Sequence, residues 1–188
     1  MARVLIAFAS RHGHTARIAG RIAQGLRAAG HEAQLLDDLS ADPAPFDYDA
    51  VIAGASIHNG SHQPEVVAWA KHHGVTLTMM PSAFFSVCLA VADGSEESAA
   101  KARDYLNDFE ERTGWTPGLR TTFAGALQYG AYGFSTRLLM RVLMHRGGHP
   151  TDTRRNYDYT DWDAVDDFAR RFAKLATGRP QLSAAGRP

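Results

Sequence analysis

The chain has 188 residues with 20 Lys+Arg and 20 Asp+Glu, so its formal net charge is zero and no overall field attracts nucleic acid. Its 45% hydrophobic content suffices for one domain with a large core. The single cysteine, Cys88, excludes an intrachain disulfide, and no apolar run reaches the roughly 18 residues of a membrane span. We therefore expect a cytoplasmic protein.

A wholly apolar run at residues 4–9 predicts a buried parallel strand, and the pattern of residues 16–29 predicts a helix. Between them, Ser10 to Thr15 place two hydroxyls and one glycine at the mouth of the helix, an arrangement that favours a phosphate. The turn lacks the three glycines of a dinucleotide site and the lysine of a nucleoside-triphosphate loop, which leaves a terminal monophosphate. The alternative is an ordinary strand-to-helix turn with Thr15 as N-cap.

The remaining pattern alternates strands and helices along the chain. Gly30 marks the end of the first helix, and Ser95 caps the long charged helix. Further strands are predicted at residues 32–36, 50–55, 82–90 and 121–127, and further helices at 63–73, 95–112 and 161–176. Cys88 falls inside an apolar strand, which favours a buried thiol.

Five strands interleaved with helices predict a flavodoxin-like α/β fold, a doubly wound parallel sheet in the order 2-1-3-4-5. A receiver domain has the same order but needs acidic residues after its first strand and an aspartate ending its third. Here Ser10, Arg11 and His12 follow the first strand, so that interpretation fails. We expect one domain over residues 1–177, with a flexible tail at 178–188.

A long insertion, residues 128–160, precedes the last helix. Residues 134–146 have a helical pattern with an apolar arc, and basic residues lie opposite that arc. The apolar members are Leu138, Leu139, Val142 and Leu143, and the basic ones are Arg137, Arg141 and His145. The segment is either a sixth helix packed on the core or a basic amphipathic helix that meets anionic lipid or acts as a lid.

Several runs resemble flavodoxin-fold proteins and, more narrowly, the quinone-dependent protoporphyrinogen IX dehydrogenases of bacterial haem synthesis. The similarity covers the chain from its start to about residue 175. Besides residues 10–15 the runs are 54–57 (GASI), 80–87 (MPSAFFSV), 125–129 (GALQY), 147–148 (GG), 151–154 (TDTR) and 159–162 (YTDW).

The resemblance implies one non-covalently bound FMN. Its ribityl phosphate would be held by Ser10, Arg11, His12, Gly13, His14 and Thr15. Its ring would be clamped by two groups at the carboxyl edge of the sheet. These are Ser56, Ile57, His58, Asn59 and Gly60, and Leu89, Ala90, Val91, Ala92, Asp93 and Gly94. The chain departs from its relatives in having no aromatic residue near Asn59, where His58, Tyr129 or Tyr132 would have to stack instead.

The implied enzyme is a flavoprotein oxidoreductase that oxidises protoporphyrinogen IX with a quinone as acceptor. Tyr129, Arg137 and Arg141 would contact the substrate or anionic lipid, with the protein peripheral on the inner face of the cell membrane and the surface helices allowing a homo-oligomer. No residue in the sequence is predicted to act as a catalytic base. Its histidine pairs, His72/His73 among them, do not converge on a carboxylate, so we expect no metal site.

Three other functions remain open from the sequence. A flavodoxin-type electron carrier docks through an acidic surface, which a zero net charge does not favour. An NAD(P)H:quinone reductase on the same fold would need a nicotinamide site, which no motif marks. An interaction domain without a flavin would have no need of the turn at Ser10 to Thr15.

Overall fold

A computed structural model describes residues 1–91, 95–127 and 157–177 of the chain. Its strands are β1 (Arg3–Phe8), β2 (Glu32–Leu36), β3 (Ala50–His58), β4 (Ser61–His62), β5 (Ser82–Cys88), β6 (Leu119–Ala124), β7 (Ala126–Leu127) and β8 (Tyr157–Asp158). Its α-helices are α1 (His14–Ala28), α2 (Pro64–His72), α3 (Gly74–Met79), α4 (Glu96–Thr113) and α5 (Trp162–Thr177). Short 3₁₀ turns lie at Pro45–Asp47 and Leu89–Val91.

Five parallel strands form the central sheet in the spatial order β2-β1-β3-β5-β6. Counting the parallel strands alone, this is the predicted order 2-1-3-4-5, and the flavodoxin-like fold class is confirmed. The sequence did not indicate β4, which pairs antiparallel with the end of β3, nor the separate antiparallel pair β7–β8. It also missed α3, which continues α2 toward the start of β5.

Strand β1 is buried on both faces of the sheet, which explains its unbroken apolar sequence. Val4, Ile6 and Phe8 point to the core beneath α1 and α5, whereas Leu5 and Ala7 point to the core beneath α2, α3 and α4. The same alternation continues in β3 and β5. The sheet is therefore the middle layer of three, and its edges are the places where loops can form a site.

Two glycines lie where a neighbouring side chain or helix occupies the space of a Cβ. A Cβ at Gly54 in β3 would lie 2.2 Å from Cζ of Phe85 in β5, so the phenyl ring occupies the space above the glycine. A Cβ at Gly25 in α1 would lie 2.8 Å from that of Ala169 in α5. Adding methyl groups at such sites overpacks the core and costs about 1–3 kcal/mol.

The ends of the helices follow the signals in the sequence. Gly30 has a φ of 85° and terminates α1, with its N–H donating to Arg27 and that of His31 donating to Leu26. This is the double hydrogen bond of a Schellman motif. At the start of α4, the Ser95 hydroxyl accepts from the N–H of Ser98 at 3.1 Å.

The exit of the third strand is a hairpin, whereas the sequence predicted a loop at residues 56–60. Strand β3 continues to His58, and only Asn59 and Gly60 form the turn, with φ values of 50° and 80°. Positive φ at both central residues is typical of the type I′ turn that Asn-Gly favours between two strands. The Asn59-Gly60 dipeptide therefore predicts the hairpin from the sequence alone.

The hairpin is anchored by His62, whose side chain is 2% exposed. Its Nε2 lies 2.9 Å from the Ser86 hydroxyl, and its ring meets Phe84 and Phe109 edge-on at centroid distances of 5.3 Å. Burial, only partly offset by the Asp108 carboxylate, lowers the pKa of His62 to about 4. The imidazole is therefore a neutral core side chain at pH 7.

Part of the predicted organisation lies outside the described residues. This holds for the helix at 134–146, for the insertion except its last residues, and for the tail at 178–188. None of the helices in the described ranges is long and apolar enough to cross a membrane. Cys88 is buried in β5, as the sequence predicted.

We expect stability to fall in mild acid because His62 gains a proton only when the chain unfolds. An unfolded histidine titrates near pH 6.5, so the folded state loses stability as the pH falls below that value toward 4. The loss between pH 7 and pH 5 should be about 2 kcal/mol. Urea unfolding of the native chain and of His62→Gln at both pH values measures it. An equal pH dependence in the two proteins would contradict the assignment.

Candidate functional site

The turn that follows β1 presents the uncapped start of α1. Gly13 is the N-cap residue, with a φ of 80° and no side chain to accept from the helix, so the expectation of Thr15 as N-cap was wrong. The first N–H groups of a helix have no partner within it. One of them, on Ala16, donates to the Ser10 hydroxyl at 3.3 Å. A Cβ on Gly13 would meet nothing within 4 Å, so the space in front of the turn is open.

His14, the first residue of α1, is buried and fixed in one tautomer by a distant part of the chain. Its Nε2 lies 2.7 Å from Oγ1 of Thr160, and that hydroxyl donates its hydrogen to the carbonyl of Ala124 at 2.8 Å. The Thr160 oxygen must therefore accept from Nε2–H. This leaves Nδ1 of His14 as a buried acceptor with no hydrogen-bond partner in the described part of the chain.

Asp158 in β8 supplies the negative charge beside this histidine. Its carboxylate lies 3.7 Å from Nε2 of His14 and 3.3 Å from Nη1 of Arg17. Burial lowers the pKa of His14, and Arg17 lowers it further, whereas Asp158 opposes both. Burial raises the pKa of Asp158, but the hydrogen bond from the Thr160 N–H and the charge of Arg17 act against burial, and the net effect is a lowered pKa. His14 is neutral and Asp158 ionised at pH 7.

A small cleft of about 80 Å³ opens between the turn, the end of β3 and the strand exits beside it. Its walls come from four segments at the carboxyl edge of the sheet. They are His12, His14 and Thr15 from the turn, Ser56, Ile57 and His58 from β3, Val87 and Leu89 around the end of β5, and Gly125 and Ala126 after β6.

Most of the expected site residues for which coordinates are described meet at this edge. Ser10, Arg11 and Gly13 belong to the same turn, Asn59 and Gly60 to the hairpin tip, and residues 90–91 to the 3₁₀ turn after β5. Ala92, Asp93, Gly94, Tyr129, Arg137 and Arg141 lie outside the described residues. The expected set did not include Val87, Gly125, Ala126, Asp158 or Thr160. The last two lie more than 140 residues from His14, and no local pattern indicates their approach.

The turn is positively charged on the side that faces β3. Arg11 is exposed, and the rings of His12 and His58 meet edge-on at 5.6 Å. Burial lowers the pKa of His58, and the charges of Arg11 and His12 lower it further. The guanidinium of Arg11 is thus a positive charge beside the turn, which favours an anion there.

These features together suit a phosphate monoester. A helix N-terminus with free N–H groups supplies donors and a positive dipole end, and the open space before Gly13 admits a tetrahedral group. Thr15 adds a hydroxyl and Arg11 a charge. The donor set at this turn therefore suits a terminal phosphate group.

Comparison with known proteins extends this description. The family described as Flavodoxin domain matches residues 5–154. The chain is 36% identical to "Protoporphyrinogen IX dehydrogenase [quinone]" of Escherichia coli strain K12 over 96% of this chain and 99% of that protein. It is 38% identical to the protein of that name from Leishmania major, over 76% of this chain and 62% of that protein.

Solved structures show the same fold at lower sequence identity. Oxidised flavodoxin 1 from Bacillus cereus superposes with a TM-score of 0.51 at 19% identity, covering 92% of this chain and 97% of that one. A short-chain flavodoxin associated with a bacterial microcompartment reaches a TM-score of 0.55 at 13% identity, covering 94% and 100%. At these identities the likeness establishes the fold alone.

The pairing of His14 with Asp158 predicts how the histidine titrates. We expect His14 in the ligand-free chain to titrate below the ordinary pH of 6.5, because burial disfavours the imidazolium. Asp158→Asn removes the charge that opposes this effect, so it should lower the pKa of His14 further. NMR titration of the imidazole resonances measures both changes. A rise in the pKa of His14 in the variant would contradict this account of the pair.

Proposed function

We propose that this chain, which belongs to the flavodoxin-domain family of quinone-dependent protoporphyrinogen IX dehydrogenases, oxidises protoporphyrinogen IX to protoporphyrin IX with a quinone as electron acceptor. The observation that carries the proposal is the match to the Escherichia coli protein, which extends along nearly the whole of both chains. A phosphate-binding turn at the carboxyl edge of a flavodoxin-type sheet supports it.

The cofactor in this proposal is FMN, whose ring takes up electron pairs from one molecule and returns them to another. The residues that would hold its phosphate are Ser10, Arg11, His12, Gly13, His14 and Thr15. Free N–H groups at the start of α1, the hydroxyl of Thr15 and the exposed guanidinium of Arg11 make this a dense donor set. The turn lacks the three glycines of a dinucleotide site, and this favours a cofactor with a single phosphate, such as FMN.

The flat body of the cofactor would lie between two segments of the carboxyl edge. On one side the β3–β4 hairpin presents Ile57 and His58 from a rigid scaffold, because His62 fixes its base in the core. On the other side lie Leu89 to Val91, the described part of the predicted segment 89–94. We propose that His58 stands where relatives carry an aromatic residue, since its ring already lines the cleft.

The chain's own contribution to the reaction would be orientation and electrostatics. The positive turn neutralises the phosphate, the apolar walls around Val87 and Leu89 exclude water, and neutral His14 fixes the helix start through Thr160. None of these side chains is assigned to remove a substrate proton. Each two-electron oxidation of the porphyrinogen would release protons to solvent and convert one quinone to its quinol.

We also propose that Tyr129, Arg137 and Arg141 contact the propionates of the substrate or anionic lipid headgroups. Both ends of the segment that carries them lie at the carboxyl edge, because β7 and β8 pair beside His14 and Tyr159 N–H donates to Gly125. This position favours contact with a molecule bound next to the flavin ring over contact at the amino edge of the sheet.

Anaerobic oxidation of protoporphyrinogen IX, followed by porphyrin fluorescence, tests the activity. We expect fluorescence to grow only when protein, FMN and a menaquinone analogue are all present. Thr15→Val keeps the buried shape but removes one hydroxyl, and it should raise the Kd for FMN by about tenfold. Ser40→Ala, an exposed serine before β3, is the matched control. If porphyrin fluorescence does not grow with FMN-loaded protein, the dehydrogenase assignment is wrong. The chain would then be an electron carrier or another quinone reductase.

Charge reversal at Arg137 and Arg141 tests the second proposal. The double variant Arg137→Glu/Arg141→Glu should raise the KM for protoporphyrinogen IX or abolish sedimentation with vesicles of anionic lipid. Arg170→Glu/Arg171→Glu, which reverses two exposed charges on α5, is the control. Unchanged KM and unchanged sedimentation would show that the two arginines have a structural role.

A further inference from the structure

A cluster of three metal-ligating side chains lies outside the candidate site. Nε2 of His73 lies 2.8 Å from Oδ1 of Asp42, and Nε2 of His72 lies 3.5 Å from Oδ2 of the same carboxylate. One ligand atom from each of the three residues falls within 4.8 Å of the others. The expectation that the histidine pairs do not converge on a carboxylate was therefore wrong, because Asp42 is 30 residues distant and only the fold brings it there.

The convergence depends on how α2 ends. Adjacent residues within a helix point about 100° apart, so two successive histidines rarely share one partner. Here the helix stops at His72, and His73 is its C-cap, with φ and ψ of −97° and 9°. The two rings then meet at right angles, 4.6 Å apart, with both Nε2 atoms turned toward the Asp42 carboxylate.

The third ligand is held in place independently of the histidines. Asp42 has a φ of 47°, a left-handed conformation that aspartate and asparagine adopt more readily than most residues. The next residue, Pro43, accepts a hydrogen bond from the indole of Trp69 at 3.0 Å, and the Trp69 ring packs on His73 at 5.4 Å. One tryptophan thus fixes both the loop that carries Asp42 and the ring of His73.

We propose that Asp42, His72 and His73 form a binding site for a divalent transition-metal ion, with Zn²⁺ as its best occupant. Two imidazole nitrogens and one carboxylate oxygen are ligands that Zn²⁺ prefers, whereas Mg²⁺ requires an octahedral set of oxygens. Tetrahedral Zn²⁺ with bonds near 2.0–2.1 Å places its ligands about 3.4 Å apart. The imidazole nitrogens lie 2.8 and 3.5 Å from the Asp42 oxygens, so small side-chain shifts would admit the ion. Water fills the open fourth position.

The ion would stabilise the folded chain and take no part in the chemistry at the redox site. It replaces the hydrogens that now lie between the imidazoles and the carboxylate, and it joins the loop after β2 to the C-terminal end of α2. That end of α2 leads through α3 into the start of β5, so it lies toward the amino edge of the sheet. The turn at Gly13 lies at the carboxyl edge, and the two sites are therefore independent.

Isothermal titration of the metal-stripped full chain, carrying no affinity-tag histidines, tests the site. We expect one equivalent of Zn²⁺ to bind with a Kd on the order of 10 µM, and Mg²⁺ to give no heat under the same conditions. Because the ion binds the folded chain, a concentration about 100-fold above Kd should raise Tm by about 5–10 °C.

Three variants assign the binding to these residues. Asp42→Asn keeps the left-handed backbone but removes the charge, and His72→Ala removes an exposed ligand without disturbing the core. Each should weaken Zn²⁺ binding by about 10–100-fold. Lys71→Ala, an exposed neighbour on α2 that is no ligand, should leave the Kd unchanged.

A spectroscopic readout identifies the ligand atoms. In ¹⁵N-labelled protein, Zn²⁺ should shift the Nε2 resonances of His72 and His73 and leave the resonances of buried His62 unchanged. A Kd weaker than about 1 mM would overturn the proposal, since three preorganised ligands should bind more tightly than that. Equal affinity in the native chain, Asp42→Asn and His72→Ala would also overturn it, because the ion would then bind elsewhere.

Discussion

The central strands of this protein are buried on both faces, and most other features of the structure depend on that constraint. In β1 every residue from Val4 to Phe8 is at most 4% exposed, so helices must cover the sheet on two sides. Helix α5 packs closely enough on α1 that Gly25 has no space for a Cβ, and within the sheet the Phe85 ring fills the space over Gly54. With both faces filled, a ligand can reach the sheet only at its edges. The carboxyl edge is the one where α1 begins, and its helix dipole favours an anion.

The candidate site is held by contacts between segments that are far apart in the chain. His14 belongs to the first helix, but its tautomer is set by Thr160, and that hydroxyl is tied in turn to Ala124 at the end of β6. Arg17 reaches Asp158 in β8. These contacts tie residues 158–160 to the start of α1.

The two edges of the sheet carry different chemistry. At the carboxyl edge, a neutral buried histidine and the start of α1 line the cleft in which we propose that the flavin phosphate binds. Toward the amino edge, Asp42, His72 and His73 form the proposed metal site on a loop and a helix end. The core of the protein separates the two edges.

The sequence by itself determined the five parallel strands, their order, four of the five helices and the turn at residues 10–15, because periodicity and capping residues are local signals. It did not determine that β3 ends in a hairpin, although Asn59-Gly60 was a usable signal. The approach of Thr160 and Asp158 to His14, the burial of His62 and the meeting of Asp42 with His72 and His73 were decided by tertiary structure. Each depends on where distant backbone segments come together, and no short-range pattern of residues encodes that.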